Sequence, residues 1–350
     1  MRITVNDIAK AAKVSQSTVS KVLNNYPKVK ESTRLKVLNA IEELNFTPDP
    51  IARSMITKKT KTLGLIVGDI SNPYFAESAK VIIEKAKTLG YDVIISNTNH
   101  NDLDLDTAIQ TLLNKRVDGL LIASASLYCT KVNDLFAANF PVVLFINLVE
   151  GDDVNYVVLN NRKGAELAVD HLVESGHQKI AFVSGSFKYS TLNQRFSGFQ
   201  AALQKHHLPL YQENVYNEEF INEEFLYEKI YRFVDRTLSA TNAPTAFFTT
   251  SDQMAFAVLD AAAKKNIRIP EDISVVGFDN MNLSSNETIA LTTVSQQKER
   301  MATLALEKLV MLIEKGDTVS KPIQLTLEPE LIIRRTTGRM KVRSYEGSTQ

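Results

Sequence analysis

Short apolar runs of strand length recur from Leu63 onward with amphipathic helical segments between them, and this alternation constrains the fold more than any other feature. LGLIVGD, YDVIISN, VDGLLIA and FPVVLFIN form a first series, with FAESAKVIIEKAKTLG and DTAIQTLLNKR as helical segments between its first three runs. A second series, KIAFVSG, AFFTT and ISVVGFD, begins near Lys179. Strands separated by helical segments rejoin their sheet by crossovers, which gives parallel sheets with helices on both faces. At 350 residues the chain exceeds the roughly 100–200 of one domain, so the two series predict two α/β halves.

The first sixty residues follow a different rule. Thr4 followed by Asp7 predicts a capping box, and Ile8, Ala11 and Ala12 supply an apolar face at helical spacing. Ser15 reads as the cap of a second helix whose Val19, Val22 and Leu23 face inward. Only Lys13 and Val14 lie between the two helices, so the turn is sharp. A third helix is expected from Glu31 to Asn45, with Leu35, Leu38, Ala40 and Ile41 available for packing. This is a helix-turn-helix arrangement, and its second helix presents Gln16, Ser17, Thr18, Ser20 and Lys21 outward. All five can hydrogen-bond to base edges or phosphates in the roughly 12 Å major groove, and none is acidic.

Charge separates the same two regions. The whole chain is neutral, yet residues 1–61 carry 12 lysines and arginines against five acids, a net +7, which leaves −7 on the remainder. A basic head on an acidic body predicts that only the head meets a polyanion. No apolar run reaches the ~20 residues of a membrane span. Cys129, the only cysteine, can form no internal disulfide or thiolate zinc site. MRITVNDIAK lacks the pattern of a secretory leader, so a reducing, cytoplasmic location is expected.

No GxGxxG, GxxxxGK[ST] or GxSxG motif is present, and His100, His171, His177, His206 and His207 show no metal-ligand spacing. Neither catalysis nor a cofactor or metal is expected. His171 reads as helix packing, His177 as a partner of the negative helix pole, and His206 and His207 as solvent-exposed.

The run TVNDIAKAAKVSQSTVSKVLNN, continued by VKESTRLKVLNAIEELNFTPDPIARSM, resembles the DNA-binding head of the LacI family of regulators, and the likeness extends through most of the chain. The resemblance implies an all-α helix-turn-helix head, residues 1–48, and a hinge helix and linker, residues 49–61. It implies a body of two doubly wound parallel-sheet subdomains like a periplasmic sugar-binding protein, residues 62–339, before a polar tail, 340–350. The family crosses between subdomains three times. Placing the crossings near Asn161, Leu291 and Pro322 makes the first subdomain 62–161 with 292–321, and the second 162–291 with 322–339. By resemblance, Gln16, Ser17, Thr18 and Lys21 read bases, and Thr4, Ser15 and Asn24 contact phosphate. The hinge would place Arg53 over the minor groove and insert Met55 where the family carries leucine. An unbranched thioether can still wedge between bases.

In doubly wound folds ligands sit outside the carboxyl ends of the strands. That position offers Tyr74, Tyr189, Thr191 and Asn193, and by resemblance to sugar-binding relatives the effector contacts are Asn72, Phe75, Arg195, Phe220, Ser251, Asp279 and Gln296. Plainer alternatives are that Asp279 caps a helix, Arg195 forms an interdomain ion pair and Phe75 is core. Asp252 reads as a helix cap. Many family sugar binders carry Asp-Arg where Ile146 and Asn147 stand, so one wall becomes less anionic and more apolar. With Arg195 and Lys188 near, an acidic or phosphorylated sugar joins the simple sugars as a candidate effector. The expected protein is a sequence-specific regulator, a repressor, that binds a palindromic operator as a homodimer, tetramers remaining open. Control by a protein co-regulator is the alternative, and a transport binding protein is opposed by the basic head.

Overall fold

The computed structural model describes residues 3–23, 26–46, 59–218, 223–316 and 321–340. The expectations for Asn24, for the hinge with Arg53 and Met55, for Phe220 and for the tail beyond Met340 lie outside those residues. The chain divides into two compact units, Met1–Thr60 and Lys61–Gln350.

In the first unit Val5–Ala11 (α1), Gln16–Leu23 (α2) and Glu31–Glu43 (α3) are helical. The capping box forms: the Thr4 amide donates to Asp7 Oδ2 at 2.9 Å, and the Asp7 amide donates to Thr4 Oγ1 at 3.4 Å. The Thr4 hydroxyl also donates to Asp7 Oδ2, and it is the first cause holding that carboxyl below its usual range. Lys13 takes φ +52° in the turn, and Ser15 Oγ accepts from the Thr18 amide at 3.2 Å to start α2. Ile8, Ala9, Ala12, Val19, Val22, Val37, Ala40 and Phe46 form the core. Two expectations fail here. Ala11, Leu35 and Leu38 are exposed, because the buried stripe of α3 runs through Val37, Ala40, Ile41 and Leu44 at helical spacing, and Leu35 and Leu38 fall off it.

The second unit begins with Thr62–Val67 (β1), Pro73–Thr88 (α4), Asp92–Asn97 (β2), Asp102–Asn114 (α5), Gly119–Ile122 (β3), Thr130–Ala137 (α6), Val142–Phe145 (β4) and Tyr156–Leu159 (β5). The chain then crosses to Asn161–Glu174 (α7), Ile180–Val183 (β6), Ser190–Lys205 (α8), Val215–Tyr216 (β7), Glu223–Leu238 (α9), Ala246–Thr249 (β8), Asp252–Lys264 (α10), Ser274–Asp279 (β9) and Thr292–Ser295 (β10). Lys298–Lys315 (α11) and Gln324–Leu327 (β11) return to the first half, and Glu330–Ile332 (β12) goes back to the second.

The sheets have matching orders, β2-β1-β3-β4-β5-β11 and β7-β6-β8-β9-β10-β12. All pairings are parallel except β10 with β12. Two of the expected crossings therefore move. β10 lies in the second sheet, so the chain leaves that half after Ser295 and not at Leu291. β11 lies in the first sheet, so the last crossing follows Leu327 and not Pro322. Both errors have one cause: an apolar strand does not announce which of two similar sheets it joins.

In the second half Phe182 packs against Phe199 and Phe196, with ring centroids 4.9 and 5.2 Å apart, under β8's Phe248. Each fully buried ring contributes roughly 1.5–3 kcal/mol. Helices α7 and α8 touch closely because position 198 is glycine: a Cβ there would stand 2.2 Å from the Arg162 carbonyl oxygen.

Candidate functional site

On the head, α2 presents Gln16, Ser17 and Lys21 to solvent, and Thr18 is half-buried. The hydroxyls of Ser17 and Thr18 each lie 2.8 Å from Ser15 Oγ. Thr4 is exposed at the start of α1. The outward face of the second helix is thus slim and polar with one free-standing length of lysine stem, a shape that fits a major groove.

In the body the winding of each sheet reverses beside its first strand. β1 lies between β2 and β3, and β6 lies between β7 and β8. Chain segments leaving such neighbours diverge and open a crevice at the carboxyl ends. A cavity of about 440 Å³ occupies that position, bounded by both halves.

Nine of the expected residues line it. Asn72, Tyr74 and Phe75 come from the start of α4, and Tyr189, Thr191 and Arg195 from the start of α8. Ser251 follows β8, Asp279 ends β9 and Gln296 follows β10. Asn193 does not line it: two residues on from Thr191 along a helix, it points away and is exposed. His100, Asp69, Ser186 and Met254 also line the cavity and were not foreseen. His100 follows the carboxyl end of β2, so the strand-end rule that identified Asn72 would have found it.

Arg195 is buried at the base. Its Nε donates to Asn161 Oδ1 at 2.9 Å, its Nη1 donates to the Thr250 carbonyl at 2.6 Å, and its guanidinium lies 3.6 Å over the Phe278 ring. Asp279 Oδ1 stands 3.9 Å from Arg195 Nη1 and accepts from Gln296 Nε2. Burial pushes the Asp279 carboxyl up and the Arg195 guanidinium down to about 10, while each charge favours the other. The ion pair that Arg195 makes lies within the second half, so the interdomain pair named as its alternative is not the one formed. Asp279 is no helix cap; it ends β9 at φ +121°. Two buried atoms at this end have no hydrogen-bond partner among the described residues: the Tyr74 hydroxyl and Gln296 Oε1. Buried polar atoms are rarely left so, and a polar ligand would satisfy both.

The opposite wall is apolar. The His100 ring packs between Phe75 and Tyr189, with centroids 5.8 and 5.7 Å away. It rests on Gly68, where a Cβ would meet the imidazole at 2.2 Å. Burial lowers its pKa, with Asp69 opposing and Lys188 adding to the shift. Ile146 completes this wall at φ +79°, a strained conformation for a β-branched residue. Asn147 donates to the Ala123 carbonyl at 3.1 Å.

Some expected roles change. Ser251 is the cap of α10, accepting from the Met254 amide at 3.3 Å, so Asp252 is not. Asp252 is buried and accepts from the Met281 amide and the hydroxyls of Ser284 and Thr293, which ties β8, β9 and β10 together. His177 lies just past the carboxyl end of α7, its amide donating to the Leu172 carbonyl at 3.1 Å, but its ring bonds elsewhere. It is buried, with Nδ1 3.0 Å from Thr245 Oγ1 and Nε2 2.9 Å from Ser274 Oγ, and burial lowers its pKa. His206 is half-buried against Asp170 at 2.7 Å. Among the described residues no group of three His, Cys, Asp or Glu side chains is placed to hold a metal, and no helix is long and apolar enough to cross a membrane.

A helix-turn-helix head joined to a two-sheet α/β body with a polar crevice at the strand ends defines a DNA-binding regulator with a periplasmic-binding-protein-like body. Residues 4–49 match bacterial regulatory proteins of the lacI family, and residues 169–337 match the periplasmic binding protein-like domain. Catabolite control protein A of Priestia megaterium is 33% identical over 326 residues, 93% of this chain and 97% of that protein. The HTH-type transcriptional repressor PurR of Actinobacillus pleuropneumoniae serotype 3 (strain JL03) is 33% identical over 339 residues, 96% and 99% of the two chains. The crystal structure of the Lac repressor dimer bound to operator and the anti-inducer ONPF superposes with a TM-score of 0.83 at 28% identity, covering 97% of this chain and 100% of that one. The chain belongs to the LacI family of DNA-binding transcriptional regulators.

Proposed function

We propose that this protein is a transcriptional repressor that binds a palindromic operator as a homodimer and whose affinity for DNA is set by a small carbohydrate-like effector held between the halves of the body. The observation that carries the reading is a cavity at the carboxyl ends of the strands, lined by nine of the expected residues drawn from both halves. A ligand that touches both halves makes their relative angle depend on occupancy, and that is what couples the site to a distant DNA-binding head. A similar protein of known structure supports a ligand of this kind: a transcriptional regulator CelR–cellobiose complex superposes with a TM-score of 0.70 at 26% identity.

On DNA, Gln16, Ser17, Thr18 and Lys21 read bases, Thr4 and Ser15 hold phosphates, and the symmetry of a dimer supplies the specificity one head lacks. Asn24 is assigned a phosphate, and Arg53 and Met55 the minor groove, on the sequence alone. In the cavity, aromatic faces at Phe75 and Tyr189 suit the C–H faces of a sugar ring, and Asn72, Thr191, Arg195, Ser251, Asp279 and Gln296 suit its hydroxyls. Phe220 is retained as a contact by resemblance only. Arg195 already serves Asn161, Thr250 and Asp279, so the base of the cavity suits a neutral, donor-rich ring. The phosphate or carboxylate of a sugar phosphate or sugar acid suits the rim at Lys188 better than the base. The protein performs no catalysis and acts in the cytoplasm.

A thermal-shift screen of neutral sugars, sugar acids and sugar phosphates tests the effector, since ligand binding raises stability by mass action. No shift with any of the three classes would remove this reading. Operator binding by Lys21→Ala tests the head: a base contact predicts a loss of roughly 1–3 kcal/mol per half-site that varies with the base opposite.

A further inference from the structure

Four consecutive residues, of which Lys188, Tyr189 and Thr191 line the cavity, each bond to the opposite half. The Lys188 carbonyl accepts from the Leu127 amide at 2.9 Å. The Tyr189 hydroxyl donates to the His100 carbonyl at 2.8 Å. Ser190 Oγ accepts from the Leu148 amide at 2.7 Å, and Thr191 Oγ1 donates to Asn147 Oδ1 at 2.9 Å. These bonds reach the segments that follow β2, β3 and β4, the carboxyl-end rim of the first half.

The receiving groups are held in place. Asn147 is fixed by its bond to Ala123. His100 has Nδ1 3.2 Å from Ser124 Oγ, rests on Gly68, and sits with Asn99 in left-handed backbone at φ +57° and +48°. Tyr189 occupies the N-cap position of α8 yet makes no cap with its side chain; the hydroxyl goes across the cleft instead. Tyr189, Ser190 and Thr191 are buried, so these bonds do not compete with water while the cleft is shut.

We propose that Lys188–Thr191 is a clasp that holds the effector pocket shut through bonds between the two halves alone, so that ligand entry and exit wait on its release. The proposal rests on reading the cavity as an effector site, and it makes Tyr189 and Thr191 positioning residues for closure as well as cavity walls. Its four bonds are short in sequence and share one rigid helix start, so they release together.

Hydrogen exchange of the full-length protein without any ligand tests this, reading the Leu127 and Leu148 amides. The double variant Tyr189→Phe/Thr191→Val removes two hydroxyls and keeps both side-chain shapes. Leu148 bonds to Ser190, which the variant leaves intact, so a rise in its exchange reports release of the whole clasp. The expected result is that both amides exchange at least about tenfold faster in the variant. Core amides such as Val275 and Val276 should be unchanged, and Thr191→Ser, which keeps the hydroxyl, should exchange as the native chain does. Unchanged rates at Leu127 and Leu148 would overturn the clasp, as would rates in the native chain equal to those of the core amides, which would make the contact a fixed part of the fold. None of these rates depends on the identity of the effector, so a failed ligand screen and a failed clasp are separate results.

Discussion

The two halves of the body share a strand order but are built from different material. Every buried Arg, Lys, Asp or Glu among the described residues, namely Arg195, Asp252 and Asp279, belongs to the second half, and so does the doubly bonded His177. The first half buries Ser78, Thr98, Ser124, Ser126 and Asn147 but no charge, and it meets the cavity with the rings of Tyr74, Phe75 and His100 and with Ile146, beside Asp69, Asn72, Asn99 and Asn147. Buried charges demand fixed partners, whereas rings demand only contact. On the proposed effector reading, the second half is the one that fixes a ligand's orientation, and the first half supplies the surface that closes over it.

The largest test of that contrast is Asp279→Ala. It should abolish effector binding by calorimetry for any compound that stabilises the native protein, while operator binding without effector stays nearly normal. In an inducible repressor the result is permanent repression, and in a corepressed one permanent derepression. Unchanged effector affinity would break the division of labour between the halves.

A second test removes His177, whose partners lie in the polar framework of the second half. His177→Ala should destabilise the protein by roughly 2–3 kcal/mol in urea titrations, because it strands buried hydroxyls. The native histidine also predicts a pH dependence. Its folded pKa lies below the ordinary 6.5, as do those of His100 and His171, so the unfolded chain binds more protons as the pH falls past 6.5. Stability is full above that pH and declines below it toward the depressed folded values. The slope of melting temperature between pH 7.5 and 5.5 should flatten in His177→Gln; an equal slope would assign the effect to the other two.

A third test addresses the apolar wall. Gly68→Ala should cost about 1–3 kcal/mol and dislodge the His100 ring, with effector affinity falling less than in Asp279→Ala. An equal or greater loss would show that the first half also orients the ligand. The smallest effect belongs to Asn193→Ala. An exposed residue pointing out of the cavity should leave stability within about 0.5 kcal/mol and effector affinity unaltered.

Much of the fold could be read from the chain because strand length, helix spacing and caps are local. The head is the clearest case: Thr4, Asp7 and Ser15 announce two helix starts within fifteen residues. Membership of a sheet is not local, which is why β10 and β11 were assigned to the wrong halves. The site shows the same limit. Asp279 ends a strand, Gln296 follows one directly and Asn72 lies in the loop after one, so strand-end position marks all three. Asn193 was misplaced because facing along α8 depends on where the helix begins, at Ser190, which the loop sequence does not mark. The cross-cleft bonds of Tyr189 and Thr191 join residues 89 and 44 positions apart respectively, a distance at which no spacing rule operates.

The last two strands are separated by two residues, yet β11 closes the edge of one sheet and β12 the edge of the other. During synthesis neither sheet can be completed until the chain through Ile332 has left the ribosome, because both edges arrive within the same few residues. The head core, by contrast, is finished once Phe46 has emerged. A nascent chain therefore carries a formed DNA-binding unit well before it carries a closed body, and stalling late in translation would release a head without its control.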